Sequence, residues 1–477
     1  MFQIILKITF TLLQKNTTFT LTLCKIQKMY IRSIIQELQK WRLSSSRKPL
    51  LIRGARQVGK TTLVNEFAHQ YQQYLYLNLE RKEDAAIFRH YTRFSTLVES
   101  MFFLKDKDIQ QHDTLIFIDE IQEVPEAINL LRYFLEDFPQ FHIIAAGSLL
   151  EVVLNENTTM PVGRVEYKVL RPMSFKEFLE AMNEKSALKQ YNSVPIADFA
   201  HDKLLQLFHT YTLIGGMPEV VKHYVENRNL TALLPIYESL LVSYMNDVEK
   251  YARNSTMVQV IRHVIKSMSV EAGNRIKFQN FGQSNYGSRE VGEAIRTLEK
   301  ALLLYLVYPC TGTALPLFPD KKKSPKLQLL DTGLMNHLAG LQKEIIGSQQ
   351  LDSVYQGKIA EHIVGQELLA NQYNVLSELH FWTREKKEAV AEVDYIYVFD
   401  GKMIPIEVKS GATGRLRSLH SYMDNAPHPL AVRIYSGKLS IDTLKTASGK
   451  VFYLLNLPYY LTGQIEQYLG WFGGQYP

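Results

Sequence analysis

The sequence predicts an α/β protein that begins with a parallel sheet covered by helices and ends in a second α/β unit. Apolar strand patterns at residues 114–119 and 141–148 flank a helical pattern at residues 125–138. Strands that alternate with helices are typical of a parallel sheet with helices on both faces. A glycine-rich loop within residues 49–67 joins another such strand to a helix. Alternating residues around an Asp-Gly pair, at 392–410, predict a β-hairpin in the second unit.

Length and composition indicate an ordinary globular protein of several domains. A chain of 477 residues is too long for one hydrophobic core, and about three or four domains are expected. The composition, 46% hydrophobic and 21% charged, excludes a disordered or fibrous chain. Cys24 and Cys310 are too far apart to indicate a disulfide framework or a zinc site. The net charge of +6 would suit nucleic acid or nucleotides but is weak support for either.

The first 28 residues form a separate extension in this interpretation. They are apolar and threonine-rich, and Lys7 and Lys15 interrupt them, so they are too broken for a membrane span. They also lack the positive start and small-residue cleavage site of a signal peptide. We expect the native start at Met29, where an amphipathic helical pattern begins, and a cytoplasmic protein with no membrane partner. A targeting segment is the alternative.

A phosphate-binding loop follows the first predicted strand. The pattern Gly54-x-x-x-x-Gly59-Lys60-Thr61 lies between a strand and a helical run, which is the context this motif requires. Glycines allow backbone N–H groups to wrap phosphates, the lysine reaches the β- and γ-phosphates, and the hydroxyl binds Mg²⁺. The predicted nucleotide-binding residues are Gly54, Ala55, Arg56, Gln57, Val58, Gly59, Lys60, Thr61, Thr62 and Asp119.

Acidic residues at the end of the strand at 114–119 predict hydrolysis in addition to binding. Asp119, with Thr61, would hold Mg²⁺ through its water shell, and Glu120 would orient the attacking water. A solvated strand end is the alternative, and the upstream loop argues against it. Lys60 and Glu120 are therefore the leading catalytic candidates.

Further candidates come from later segments. Ser148 ends the next strand, where it could contact the γ-phosphate or the attacking water. Arg164 could act as an arginine finger on a neighbouring copy of the chain, with Arg171 as a weaker choice. An ordinary surface arginine explains Arg164 equally well.

Several motifs together resemble those of a known family. The stretches "LIRGARQVGKTTL", "IFIDEIQ", "GSLLE", "LRPMSFKEFL" and "GGMPEVV" are similar to those of bacterial and archaeal AAA-superfamily (AAA+) ATPases. In these proteins the carboxy-terminal half is a domain of unknown function with a nuclease-like end. The resemblance implies an AAA+ P-loop NTPase core at 29–190 and ATP with Mg²⁺ as cofactors. It also implies a homo-oligomer, although a monomer or dimer stays open. Ser148 stands where AAA-type relatives often carry asparagine.

The middle of the chain reads as a helical lid and then a winged-helix domain. Residues 191–254 are mainly helical and are broken at Gly215, Gly216 and Pro218. Residues 255–345 contain a pattern of helix, turn, longer helix and strand at 276–309, followed by a basic stretch, "DKKKSPK", where a wing would lie. The lysines of this stretch, with Arg289 and Arg296, could contact DNA phosphates. A winged helix that only packs against its neighbours fits the same pattern, and we assign no chemistry to residues 326–340.

The hairpin at 392–410 brings like charges together. If Asp400 and Gly401 form a two-residue turn, Asp394 lies opposite Glu407, and Glu392 lies opposite Lys409. Carboxylates that face each other across strands destabilise a sheet. A compensating cation is therefore expected.

Residues 346–477 resemble a restriction-endonuclease-like, PD-(D/E)XK, domain. Glu361 lies on an amphipathic helix that precedes Asp394, Glu407 and Lys409 in the order of that signature. The three carboxylates would bind Mg²⁺, and Lys409 would hold the attacking water or the developing charge. Alternating Glu and Lys on an exposed strand is the alternative.

These features predict an ATPase that drives or gates a nuclease-like, DNA-binding module. ATP and DNA are the expected partners, and a protein partner is the other choice. The alternative function is a nucleotide-gated regulator whose carboxy-terminal module binds nucleic acid or protein without cleavage.

Overall fold

The computed structural model describes residues 30–89, 91, 93–148, 163–250, 252–341, 357–386, 389–411 and 416–476. The extension at 1–28 and the predicted start of the last domain at residue 346 lie outside these residues. Among the described residues no helix is both long enough and apolar enough to cross a membrane.

A parallel sheet forms the first part of the molecule, as the alternating pattern predicts. Its strands are β1 (Leu50–Arg53), β2 (Gln73–Asn78), β3 (Thr114–Asp119), β4 (His142–Gly147) and β5 (Glu166–Val169). Within the described residues their order is β2-β3-β4-β1-β5, and every neighbouring pair is parallel. Every residue of β3 is buried. The carboxyl ends of β1, β3 and β4 therefore meet at one edge of the sheet.

Helices cover both faces of this sheet. They are α1 (Ile35–Leu43), α2 (Lys60–Ala68), α3 (Lys82–Arg89), α4 (Phe94–Leu104) and α5 (Pro125–Asp137). Side chains of α1 and α2 share a core with Ile52 and Phe117. Side chains of α3, α4 and α5 share a separate core with Leu51 and Ile116. Because neighbouring strand residues point to opposite faces, each face has its own apolar layer.

A helical region follows. It contains α6 (Phe175–Ala181), α7 (Lys185–Tyr191), α8 (His201–Ile214), α9 (Pro218–Asn227), α10 (Leu234–Glu249) and α11 (Ser255–Glu271). Helix α6 starts with a capping box in which Ser174 and Glu177 bond each other's backbone N–H. The predicted break between α8 and α9 is present at Gly215 and Gly216.

The helix predicted at the start of residues 276–309 does not form. Only a short 3₁₀ helix, Phe281–Gln283, precedes α12 (Ser288–Lys300). Asn280, Gly282 and Gln283 have φ angles of 57°, 57° and 59°, and such left-handed residues cannot continue a right-handed helix. After α12, β6 (Leu304–Cys310) and β7 (Lys326–Leu329) pair antiparallel. Most of the basic stretch lies in the loop between these two strands.

The remaining elements build a second sheet that includes β6 and β7. They are α13 (Thr332–Leu338), α14 (Lys358–Ala370), β8 (His380–Lys386), β9 (Ala389–Phe399), β10 (Lys402–Lys409), α15 (Arg417–Met423), β11 (Leu430–Tyr435), β12 (Ser440–Lys445), β13 (Val451–Pro458) and α16 (Ile465–Gly473). Over the described ranges the strand order is β12-β13-β11-β10-β9-β8-β6-β7. Strand β6 pairs parallel with β8. The sheet therefore runs across the domain boundary predicted at residues 345 and 346.

The predicted hairpin has the predicted turn. Phe399 pairs with Lys402, and the φ angles of Asp400 and Gly401 are 47° and 69°, as a type I′ turn requires. Regular pairing of β9 with β10 ends at Tyr395 and Ile406. Beyond that point the carboxylate of Asp394 accepts the backbone N–H of Val408 at 2.8 Å. The regular backbone pairing of the hairpin therefore stops where the acidic residues Asp394 and Glu407 begin.

Candidate nucleotide site and carboxylate cluster

The phosphate-binding loop has the backbone form that a phosphate needs. Gly59 lies directly before α2 and has a φ of 96°, in the left-handed region that favours glycine. No side chain caps the amino end of α2. Free backbone N–H groups and the positive end of the helix dipole therefore face the space beside the loop.

Lys60 lies inside this loop. Its side chain is buried, and Nζ donates to the carbonyl oxygens of Gly54 at 2.9 Å and Ala55 at 3.0 Å. Burial lowers the pKa of Lys60, and the charges of Glu120 and Asp119 oppose that shift. The ammonium is thus held by loop carbonyls that a phosphate group could replace.

Thr61 and Asp119 meet as predicted. The Thr61 hydroxyl donates to Oδ2 of Asp119 at 2.7 Å, and Tyr76 donates to the same oxygen at 3.2 Å. Burial raises the pKa of Asp119, and the bond from Thr61 counteracts that rise. A hydroxyl beside a carboxylate is an oxygen donor set that suits Mg²⁺. These residues fit the predicted ion.

Glu120 has an unusual backbone conformation that fixes its side chain. Its φ is 50°, in the left-handed region, and its N–H donates to Oδ1 of Asp119 at 3.1 Å. Gln122 Nε2 donates to Glu120 Oε2 at 2.5 Å. The sequence reasoning did not single out Gln122, which restrains the predicted catalytic carboxylate.

A cleft of about 550 Å³ opens beside these groups. Glu120 and loop residues line one side of it, namely Arg56, Gln57, Gly59, Lys60, Thr61 and Thr62. Tyr30 and the first residues of α9, among them Pro218 and Lys222, line the other side. Residues of the helical region predicted as a lid therefore line the cleft opposite the loop, and these particular residues were not anticipated.

The lid also holds the loop directly. Arg56 NH1 lies 2.5 Å from Asp247 Oδ1, and the Tyr244 hydroxyl donates to the Arg56 carbonyl at 3.0 Å. Both partners belong to α10. Asp247 is buried, so this ion pair is shielded from water on one side.

Arg32 supports the phosphate-binding loop through hydrogen bonds, and the sequence analysis did not predict this role. Its guanidinium is buried and donates to the Val58 carbonyl at 2.9 Å, to the Arg171 carbonyl at 2.6 Å and to Glu177 at 3.0 Å. The amphipathic pattern around Arg32 predicted only a helix. Its partners lie far along the chain, so local spacing gave no signal.

The remaining candidates of the first domain have different surroundings. Ser148 is buried immediately after β4, whose neighbours are β3 and β1. Arg164 lies at the surface, where Nε is 2.5 Å from Glu136 Oε1. Arg171 is buried and donates to the Gln372 carbonyl. Arg171 therefore contacts the carboxy-terminal half of its own chain, whereas Arg164 is accessible to a neighbouring copy.

The acidic residues of the second sheet surround a lysine. Lys326 Nζ lies 2.6 Å from Glu361, 2.7 Å from Glu392 and 3.7 Å from Asp394. Burial alone would lower the pKa of Lys326, but these carboxylates raise it. The prediction that the lysines of the basic stretch could contact DNA phosphates does not hold for Lys326, because its side chain is buried.

Glu407 and Lys409 lie beside this group. Lys409 Nζ is 2.6 Å from Glu407 Oε1, and Glu407 Oε2 is buried with no hydrogen-bond partner among the residues that the structure describes. Burial, and next the charge of Asp394, raises the pKa of Glu407 and of Glu361. Glu392, which the predicted register sets opposite Lys409, instead bonds Lys326 and Arg275.

The carboxylate cluster does not fit the predicted Mg²⁺. In the described part of the chain, no group of three or more His, Cys, Asp or Glu side chains is placed to hold a metal ion. Glu361 and Asp394 do come together, and the charge of Asp394 acts on Glu407, but the ammonium of Lys326 lies between Glu361 and Asp394. The expected compensating cation is therefore present as a lysine.

Comparison with known families agrees with the first site. Residues 46–179 match the family described as an AAA domain. Residues 205–345 match a domain of unknown function, DUF8612, and residues 356–460 match another, DUF4143. With the parallel sheet and the loop geometry, the first match supports an AAA-type P-loop fold for residues 46–179.

Individual relatives add little about function. An uncharacterized protein of Haemophilus influenzae is 26% identical over 345 residues, which cover 68% of this chain and 75% of that protein. The Walker-type ATPase PABY2304 of Pyrococcus abyssi is 15% identical with a TM-score of 0.41, over 65% of this chain and 96% of that chain. The Aeropyrum pernix Orc1 protein, solved in complex with DNA, is 14% identical with a TM-score of 0.28. This match covers 64% of this chain and 90% of that chain. Both TM-scores are too low to assign a function.

Proposed function

We propose that the protein is a Mg²⁺-dependent ATPase whose cycle drives or gates its carboxy-terminal module. The observation that carries this proposal is the pairing of Thr61 with Asp119 at 2.7 Å, beside Lys60 and Glu120 in one cleft. This set contains a phosphate-binding lysine, an oxygen pair for the metal ion and a carboxylate for the attacking water.

Each residue has a distinct role in this chemistry. Lys60 would leave the carbonyls of Gly54 and Ala55 and bind the β- and γ-phosphates. When bound, Mg²⁺ would neutralise phosphate charge, held by Thr61 and, through water, by Asp119. Glu120, restrained by Gln122, would orient the attacking water and accept its proton.

Two further groups would act on the γ-phosphate. Ser148 lies at the end of β4, next to the strand that carries Asp119, and would contact the γ-phosphate or the attacking water. Arg164 would reach the site of a neighbouring copy in a homo-oligomer. Its ion pair with Glu136 is half-exposed, so releasing it costs about 1 kcal/mol or less.

The lid provides a route from the nucleotide to the second sheet. Asp247 of α10 bonds Arg56 of the loop. Behind the lid, Asp331 accepts the backbone N–H of Gly216 at 2.6 Å and is contacted by Gln366 of α14 at 3.4 Å. A nucleotide that moves α9 and α10 would thus shift contacts to the helix that carries Glu361.

DNA is the partner we propose for the module. Helices α11 and α12 followed by β6 and β7, with a basic loop between the strands, support a winged-helix interpretation of this region. Arg289 and Arg296 on α12 are exposed, and so are Lys321 and Lys322 in the loop. Cations on one helix and the adjacent loop suit a phosphate backbone. The nuclease-like end would then bind or process the same DNA.

The test of the ATPase is turnover with Mg²⁺ in two variants. Lys60→Ala should abolish both ATP binding and hydrolysis, because the phosphate cation is lost. Glu120→Gln should retain binding and lower turnover at least about 100-fold. Arg132→Ala, an exposed arginine on α5, is the control and should match wild type. Wild-type turnover in Glu120→Gln would show that another group activates the water.

A further inference from the structure

The carboxylate cluster around Lys326 has an unusual charge balance. Its acidic members come from α14, β9 and β10, and its cations from β7, β10 and the segment between α11 and α12. The carboxylates are those of Glu361, Glu392, Asp394 and Glu407, and the cations are Lys326, Lys409 and Arg275. The cations thus almost balance the carboxylates without any ion from solution.

Lys326 has the central position in this cluster. Its Nζ is within 2.7 Å of both Glu361 and Glu392, and its side chain is 7% exposed. These are short, charge-assisted bonds to carboxylates on different elements. A divalent ion bound by Glu361 and Asp394 would have to occupy the space of this ammonium.

The other groups of the cluster complete the balance. Lys409 neutralises Glu407 from its Oε1 side, and Arg275 bridges Glu392 at 2.8 Å and Glu385 at 2.6 Å. A divalent ion placed beside Glu361 and Asp394 would meet the ammonium of Lys326 as a like charge, which is costly where water is largely excluded.

We propose that Lys326 is the resident cation of this cluster, so that the carboxy-terminal module takes no divalent ion while β7 is docked. The cluster is then a metal site closed by a lysine, and removal of the ammonium opens it to Mn²⁺ or Mg²⁺. This inference rests on the proposed nuclease-like module, whose predicted metal ligands are the same carboxylates.

The test counts Mn²⁺ bound by the nucleotide-free, full-length protein, using electron paramagnetic resonance. Wild type and Asp394→Asn should bind the same number of ions, because Asp394 holds none. Lys326→Met should gain one bound ion, and the double variant Lys326→Met with Asp394→Asn should lose it again. The control is Lys323→Met, which removes a wing lysine paired with Glu385 and should leave the count unchanged.

Thermal unfolding gives an independent readout. Lys326→Met should melt lower than wild type in EDTA, because carboxylates are left uncompensated. Mn²⁺ at about 100 times its dissociation constant should raise that melting temperature by about 5 °C or more. The change in melting temperature that Mn²⁺ causes should be the same in wild type and in Asp394→Asn.

Two results would overturn the inference. One is a Mn²⁺ ion in wild type that disappears in Asp394→Asn. The other is a folded Lys326→Met protein that gains no ion. If Lys326→Met does not fold, the comparison of wild type with Asp394→Asn decides the matter. ATP turnover is measured on the same preparations, so its absence would refute the proposed ATPase without changing the ion count.

Discussion

Glu367 on α14 is a buried carboxylate with one satisfied oxygen. Oε1 accepts the backbone N–H of Phe175 at 2.9 Å and the Tyr211 hydroxyl at 2.7 Å, while Oε2 has no hydrogen-bond partner in the described part of the chain. It lines a cavity of about 440 Å³ between the first domain and the second sheet. Burial raises the pKa of Glu367 from 4.5 to about 7. Contact between the two halves therefore depends on a group that titrates near neutral pH.

The sign of this pH dependence follows from linkage. Since the pKa is higher in the folded protein than in the unfolded chain, the folded protein binds the extra proton between about pH 4.5 and 7. The stabilising contribution is fully present below about pH 4.5. It is lost as the pH rises through about 7.

Glu367→Gln should therefore stabilise the protein at alkaline pH. The amide oxygen can accept the bonds from Phe175 and Tyr211, and no buried charge forms. At pH 8 we expect an increase in the free energy of unfolding on the order of 3 kcal/mol, shrinking as the pH is lowered towards 5. Denaturant unfolding at several pH values measures this.

Glu466→Gln provides the matched control for that experiment. Glu466 lines the same cavity and accepts the Tyr397 hydroxyl at 2.8 Å, but it is exposed. Its substitution should give no comparable pH-dependent gain. Equal pH profiles for wild type and Glu367→Gln would contradict the assigned role of Glu367.

Single residues were predictable where their chemistry is local. Lys60, Thr61 and Asp119 follow from a loop motif and a strand end, and they meet as expected. Arg32 and Lys326 were not predictable in their roles. Their partners are brought together only by tertiary packing. Nothing in the basic stretch distinguishes Lys326, which is buried, from Lys321 and Lys322, which are exposed.

Among the elements, the loop between α8 and α9 makes close backbone contacts. The Gly216 carbonyl accepts the Met173 N–H at 2.7 Å, and its N–H donates to Asp331 at 2.6 Å. A Cβ added at Gly216 would lie 2.1 Å from the Met173 carbonyl oxygen. The backbone there has no room for a side chain.

Gly216→Ala should therefore loosen the lid from both neighbours. We expect a loss of about 2 to 3 kcal/mol, seen as a fall in melting temperature of about 5 °C or more. Gly411→Ala is the control, since an added Cβ meets nothing within 4 Å there. An unchanged melting temperature for Gly216→Ala would mean that the lid is not held at this loop.

Elements were predictable from the sequence to different degrees. The hairpin register followed from Asp400 and Gly401, because a two-residue turn fixes the pairing next to it. The missing helix before α12 was not foreseen. Its apolar spacing was helical, but Asn280 and Gln283 adopt left-handed angles that spacing alone does not reveal.

At the scale of the whole molecule, the proposed cycle links the cleft to DNA. In Glu120→Gln, which should retain ATP, DNA affinity should differ at least about 5-fold between the nucleotide-free and ATP-bound states. Lys60→Ala should show no response to ATP. Fluorescence anisotropy with a labelled duplex measures both, and equal affinities in the Glu120→Gln states would refute gating.

The same assay tests the DNA surface and the nuclease alternative. Arg289→Ala combined with Arg296→Ala should lower affinity about 10-fold and reduce the salt slope by about 2, with Arg132→Ala as control. Cleavage of plasmid with Mg²⁺ that is lost in Asp394→Ala would favour a nuclease. Binding without cleavage would favour the nucleotide-gated regulator, and binding that is absent would favour a protein partner.

The continuous second sheet limits how this protein can be recombined. Strand β6 pairs parallel with β8. The domain boundary predicted at residues 345 and 346 falls between these two strands in the sequence. A chimera joined at residue 346 would transfer the carboxy-terminal segment without β6 and β7, and therefore without Lys326. In a chimera that exchanges the carboxy-terminal segment, the junction should therefore lie before Leu304, so that β6 and β7 are transferred together with the rest of the sheet.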